Sequence, residues 1–257
     1  MKLKSILMLA GLLLMLSAQA QQTKGTDLIE TKKGPLTIQP VLHGTLALTW
    51  DGKTIYVDPY GGAEVFKGIA APDLILITDI HPDHLDLKTL QAINTDKATF
   101  VVPQAVADKL PENFKKRVVV LGNNDHTEQM GISIAVLPMY NLPETEDSRH
   151  PKGRGNGYVL EFADKTVYLS GDTEDIPEMR ALRNIDVAFV CMNLPYTMDI
   201  DQAASAVLEF KPAIVYPYHY RGQDGLSDVE AFKRKVNEGD KKIDVRLRNW
   251  YPETDKK

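Results

Sequence analysis

Residues 74–86 read LILITDIHPDHLD, and the change of character inside that stretch decides what the chain can be. Leu74 to Ile77 form a continuous apolar run, the pattern of a strand covered on both faces. Directly after Thr78 come two histidines and three aspartates within eight positions. An extended chain alternates its faces, so Asp79, His81 and Asp83 share a side, and a turn at Pro82 brings His84 round to the same pocket. Gathering so many polar groups at the mouth of a buried strand carries a desolvation cost, which a divalent cation compensates directly. A solvated acidic loop is the plain alternative for this stretch taken alone.

Working outward, the chain before it is β-rich. LTIQPVLHGTLALTW and KTIYVDPY read as strands with DGK as a hairpin turn between them. After it, strand and helix alternate. LDLKTLQAIN, QAVADKL, IPEMRALRN, DQAASAVLEF and SDVEAFKRKVNE carry helical patterns, with Pro177 in a first turn and Ser227 placed to cap the last of them. ATFVVP, RVVVLG, GISIAVLPMY, GYVLEF, KTVYLS, IDVAFVCMN, AIVYPYHY and KIDVRLRNW read as strands. So many apolar strands are best buried in a two-layer sheet core covered by helices, as one domain over 36–250. A polar leader over 21–35 and a polar tail over 251–257 flank it.

The first twenty residues stand apart. Lys2 and Lys4 precede an unbroken apolar run from Ile6 to Leu16, followed by Ala18-Gln19-Ala20. That is the pattern of a cleaved signal peptide over 1–20, which places the mature protein in the periplasm or outside the cell, without a stable membrane anchor. The formal net charge of −5, with no dense basic run, makes nucleic acid and anionic membranes poor partners. Cys191 is the only cysteine, so no disulfide forms within the chain, and its apolar surroundings read as a buried strand.

Further ligand-type side chains lie at the edges of other strands, where loops present groups from a rigid sheet. Asp172 follows TVYLS, His219 follows AIVYP, and His150 precedes GYVLEF. His126, in NNDHTEQMG, competes with His150 for the same part. Taken in order, T-D-x-H-x-D-H, His150, G-D-T and His219 resemble the metallo-β-lactamase superfamily. The early VLHGTLALTWDGKTIYVDPY is similar to the branch that contains ascorbate-phosphate lactonases and N-acylphosphatidylethanolamine phospholipases. The resemblance implies an αββα sandwich, two mixed sheets flanked by helices, with two divalent ions at one edge. It implies that Asp79, His81 and His150 hold one ion, that Asp83, His84 and His219 hold the other, and that Asp172 bridges them. Asp58 and His43 would brace these ligands from behind. The implied enzyme is a metallo-hydrolase, Asp83 and Asp172 helping to activate a hydroxide between the ions.

Asp79 is the departure, since the resemblance leads one to expect histidine there. Three carboxylates and a hydroxide carry about −4, and an oxygen-rich pocket shifts preference from Zn²⁺ towards Mn²⁺ and other hard cations. The same change admits an alternative from another class, a ligand-binding protein with a one-metal or empty site. Lys152, Arg154 and Arg221 near the ligands read either as solvated loop charges or as contacts for a small anionic substrate, a lactone or a phosphate ester, with Asn193 and Tyr196 as further candidates to contact it. A β-lactam-cleaving activity is the minor option.

Overall fold

The computed structural model describes residues 25–252; the signal peptide read over 1–20 lies outside them. Two seven-stranded sheets make the core. The first runs in chain order: β1 (Asp27–Ile29), β2 (Leu36–Leu42), β3 (Thr45–Trp50), β4 (Lys53–Val57), β5 (Leu74–Leu76), β6 (Thr99–Val102) and β7 (Val118–Val120). β1 to β4 are antiparallel, and β4 to β7 are parallel. The second sheet repeats that plan. β8 (His126–Gln129), β9 (Ile132–Met139), β10 (Gly155–Phe162) and β11 (Lys165–Leu169) form an antiparallel meander. β12 (Val187–Cys191) and β13 (Ile214–Tyr218) continue it in parallel. A two-stranded ribbon, β14 (Arg221–Gly222) and β15 (Gly225–Leu226), precedes the short closing strand β16 (Asp244–Val245).

Both faces of β5 are buried, and successive side chains pack into different layers. Leu74 and Leu76 pack between the sheets, whereas Ile75 and Ile77 pack on the outer face with Leu85, Leu90, Val106 and Phe114. That outer layer holds three short helices, α1 (Leu87–Ala92), α2 (Gln104–Ala107) and α3 (Glu112–Lys115). Against the second sheet lie α4 (Pro177–Arg180), α5 (Ile200–Phe210) and α6 (Val229–Gly239). A strand apolar on both faces therefore reflects a four-layer αββα sandwich.

Four details differ from the sequence reading. Asp27–Ile29, inside the expected leader, are an edge strand, because Arg248 grips Asp27 with two hydrogen bonds of 2.9 and 2.6 Å. Tyr251, assigned to the polar tail, is buried against the core. Ser227 does not cap α6: its hydroxyl donates to the Met192 carbonyl, and Asp228 accepts from the Ala231 N–H instead. The closing strand shortens to two residues.

Hydrogen bonds join the two sheets at the end where the ligand-type residues collect. Tyr158 of β10 donates its hydroxyl across the core to the Ile77 carbonyl at 2.8 Å, and the Asn156 N–H reaches the Thr78 carbonyl at 2.9 Å. Gly155 permits this approach, because a Cβ there would lie 2.8 Å from the Thr78 carbonyl oxygen. Gly155→Ala is therefore expected to destabilise the protein by about 1–3 kcal/mol through overpacking against fixed backbone. An unchanged melting temperature would show that the sheets can separate there at no cost.

Candidate metal centre

Several candidate ligands, and the carboxylate that braces them, sit just past a strand's end. Asp58 follows β4, Thr78 and Asp79 follow β5, Asp172 follows β11 and His219 follows β13. Parallel strands thus direct their C-terminal ends into one crevice. Beyond Thr78 the chain turns tightly, with the His84 and Leu85 N–H groups both bonded to the His81 carbonyl. The turn separates what an extended chain would keep together. Asp79 and His81 face His150, while Asp83 and His84 face His219.

Asp58 fixes this turn. Its carboxylate accepts from the Thr78 N–H and hydroxyl, both at 2.7 Å, and from His84 Nδ1 at 2.9 Å. The opposite ring nitrogen, His84 Nε2, then points into the crevice. It lies 3.2 Å from His219 Nε2 and 3.4 Å from Asp172 Oδ2. His219 Nε2 is in turn 3.3 Å from Asp83 Oδ2 and 3.4 Å from Asp172 Oδ1. Ligands about 2.0–2.2 Å from a tetrahedral ion stand roughly 3.3–3.6 Å apart, so His84, Asp172 and His219 fit one divalent cation, with Asp83 at its edge, 4.0 Å from His84 Nε2. The second group is Asp79, His81 and His150. His150 Nε2 approaches Asp172 Oδ2 at 3.3 Å, so Asp172 touches both groups. His150 Nε2 and Asp172 Oδ1 are buried with no hydrogen-bond partner among the described residues. Buried polar atoms are normally hydrogen-bonded, so two unpaired ones side by side in this crevice call for an explanation that a bound cation would supply.

The tautomers follow from the partners. Asn141 Oδ1 accepts from the His150 N–H at 2.8 Å and lies 3.1 Å from His150 Nδ1, which leaves Nε2 as the free lone pair. His43 Nε2 lies 3.1 Å from Asp83 Oδ2, and only a protonated Nε2 can donate to an ionised carboxylate. Tyr251 therefore donates its hydroxyl to His43 Nδ1 at 2.7 Å, while accepting the Arg221 N–H at 3.0 Å. Burial, helped by the charge of His219, pushes the His43 pKa down to about 4, so this imidazole is neutral.

Charge dominates the rest. Burial opposes ionisation of Asp172 and Asp83, but His219 and His84 outweigh it and hold both well below the usual carboxylate range. Asp79 is held at about 2: burial would raise it, and His81, His84 and Arg154 overcome that. His84 is the counterpart. Burial would lower it, yet Asp172, Asp58 and Asp83 raise it well above 6.5.

Of the side chains expected to meet a substrate, Arg221 alone lines the adjoining cavity of about 750 Å³. Val41, Leu42, Val65 and Pro252 give that cavity an apolar wall, with Tyr60, His43, Asp83 and Tyr251 on its polar side. Lys152 turns to Glu178 at 3.0 Å, and Arg154 grips Asp79. Asn193 is buried and bonded to the Thr197 hydroxyl, and Tyr196 lies beneath the Arg149 guanidinium at 4.4 Å. His126 is exposed on β8 and belongs to neither group, unlike His150. Sequence reasoning missed Asn141, Tyr60 and Tyr251. Nothing marks Asn141 or Tyr60 in sequence, but the aromatic pair Trp250-Tyr251 was a signal against a polar tail.

A family model described as a beta-lactamase superfamily domain matches residues 37–219. A metal-dependent hydrolase of Pyrococcus abyssi is 32% identical over 203 residues, covering 74% of this chain and 86% of that protein. A crystal structure from Parabacteroides distasonis, provisionally named a metal-dependent hydrolase, is 39% identical with a TM-score of 0.77, over 88% of this chain and 99% of that one. A metallo hydrolase of Ignicoccus hospitalis shares the fold at 24% identity, with a TM-score of 0.68 over 83% of this chain and 95% of that one.

The raised pKa of His84 has a sign that can be tested. Its ion pairs stabilise the metal-free protein fully below 6.5, and that contribution fades as pH rises through the higher folded value. The depressed aspartates act oppositely, contributing above 3.8 and losing their effect as pH falls through their folded values. A ligand imidazole must be neutral, so loading a divalent cation at neutral pH should release about one proton per chain. The slope of calorimetric heat against buffer ionisation enthalpy measures it. A zero slope would mean that His84 is already neutral.

Proposed function

The chain belongs to the metallo-β-lactamase superfamily and is a metal-dependent hydrolase, and on that premise we propose an exported enzyme that holds two divalent ions and cleaves a small anionic lactone or phosphate ester. The observation that carries this reading is the pair of ligand groups meeting at Asp172. Bound there, Zn²⁺ or Mn²⁺ would lower the pKa of a water towards neutrality and polarise a carbonyl or phosphoryl oxygen.

The chain's own groups supply the rest. Asp83 is the ligand-set carboxylate that also lines the cavity, and His43 and His219 fix its Oδ2. It is placed to take the proton of the attacking water. Asp172, buried deeper, orients His84, His150 and His219 together. Arg221 stands over the Tyr251 ring at 4.5 Å and has no carboxylate partner among the described residues. It is the cation available to a substrate anion, while the apolar wall excludes water from an attached hydrophobic group. Export rests on the pattern of Lys2, Lys4 and the apolar run that follows, and the mild net negative charge argues for a small molecule over nucleic acid.

Two measurements test the reading. Asp172→Ala should strip bound metal, read by mass spectrometry, and lower hydrolysis at least a hundredfold, since about a tenfold to hundredfold loss is usual even for groups that only orient ligands. A variant that keeps its metal and its rate removes Asp172 from the centre. Arg221→Ala should raise KM about tenfold for anionic substrates with kcat little changed, and leave neutral esters unaffected. Equal effects on both substrate types would mean that Arg221 shapes the cavity without reading charge.

A further inference from the structure

Asp79 replaces the histidine that the family resemblance led one to expect, and it carries a partner that a histidine would not need. Arg154 Nε donates to Asp79 Oδ1 at 3.1 Å, and its Nη2 donates to Oδ2 at 2.9 Å. The Asp79 side chain has no exposed surface, and Arg154 is largely covered. The same Nη2 donates to the Arg149 carbonyl at 2.6 Å, which fixes the guanidinium plane. Planar two-point pairing of this kind is the strong form of a carboxylate contact. Asp79 Oδ2 also lies 2.7 Å from His81 Nδ1. The oxygen braced by Arg154 therefore still faces the first ligand group.

A neutral imidazole adds no charge to the site, and an aspartate alone adds one negative charge. An aspartate locked to a guanidinium again adds none. We propose that Asp79 and Arg154 form one charge-compensated ligand unit for the first ion. Arg154 is then a positioning residue, drawn from the loop just after His150, and it ties that loop to the end of β5. The inference rests on the two-ion reading above. It also reverses one expectation: the oxygen donor is retained, but the surplus negative charge that would favour harder cations is cancelled.

A sign reversal between single and double substitutions tests it, with metal content after dialysis against buffered Zn²⁺ or Mn²⁺ as the readout. Asp79→His leaves the guanidinium facing the ions without its carboxylate, so content should fall from about two ions per chain to about one. Adding Arg154→Ala to it removes the stranded charge and should bring content back to about two. Asp79→Asn, alone and with Arg154→Gln, repeats the comparison with an isosteric change at position 79, should the first pair fold poorly. Asp79→His holding its metal as firmly as the double variant would overturn the pairing, as would a double variant that stays at one ion. A wild-type chain that takes up no ion in the same experiment would instead overturn the metal reading itself.

Discussion

A single buried carboxylate, that of Asp58, holds the crevice in shape. It ends β4, receives both polar hydrogens of Thr78 at the end of β5, and fixes the Nδ1 side of His84. Two parallel strands and the ligand-bearing turn therefore share one anchor, and the anchor has no exposed surface. Asp58 adopts a positive φ of 44°, and so do His43 at 58° and His219 at 48°. For non-glycine residues that conformation costs about 1–3 kcal/mol each, and such residues persist only where their surroundings over-determine them. Here the surroundings do. The His43 N–H donates to the Trp250 carbonyl, and its own carbonyl receives the His219 N–H. Backbone strain and ligand direction come from the same contacts.

The crevice is a poor device for stability alone. Asp58, Asp79 and Asp172 and the imidazoles of His84, His150 and His219 are all buried, and each ionised group there carries a desolvation cost that hydrogen bonds recover only in part. In the metal-free chain, Asp172, Asp58 and Asp83 raise the pKa of His84 against the opposing effect of its burial. A structural ion-pair network would bring opposite charges into hydrogen bonds. This one leaves His150 Nε2 and Asp172 Oδ1 without any. Unpaired acceptors converging from separate strands are the mark of a site built for a cation.

Much of this was legible in sequence because it depended on short-range pattern. The apolar run at 74–77 bounded by Thr78 specified a strand buried on both faces, and the alternation of strand and helix gave the layers. The candidate ligands stood out because the chain has only six histidines and several of them, with Asp172, fall close to the ends of apolar runs. What the sequence could not show was which groups neutralise which. Lys152 and Arg154 flank His150 and looked available to a substrate, yet each has a carboxylate partner from a distant element: Glu178 on α4 for one, and Asp79 after β5 for the other. Asn141 and Tyr251 act through hydrogen bonds to His150 and His43, and such roles have no compositional signature.

On the function proposed above, that distinction decides where substrate charge would be read. Three cations near the ligands in sequence suggested a broadly basic pocket, but pairing removes two of them. Arg221 remains, displaced to one side of the cavity, on Tyr251 and opposite an apolar wall. An anion held there lies beside Asp83 and His43, not beside Asp79 and His81. The centre is therefore asymmetric. One flank, closed by the Asp79–Arg154 fork, is inward and rigid. The other, open through Asp83, is where a substrate can enter, and the division follows from where the turn at Pro82 sends the two halves of a single short motif.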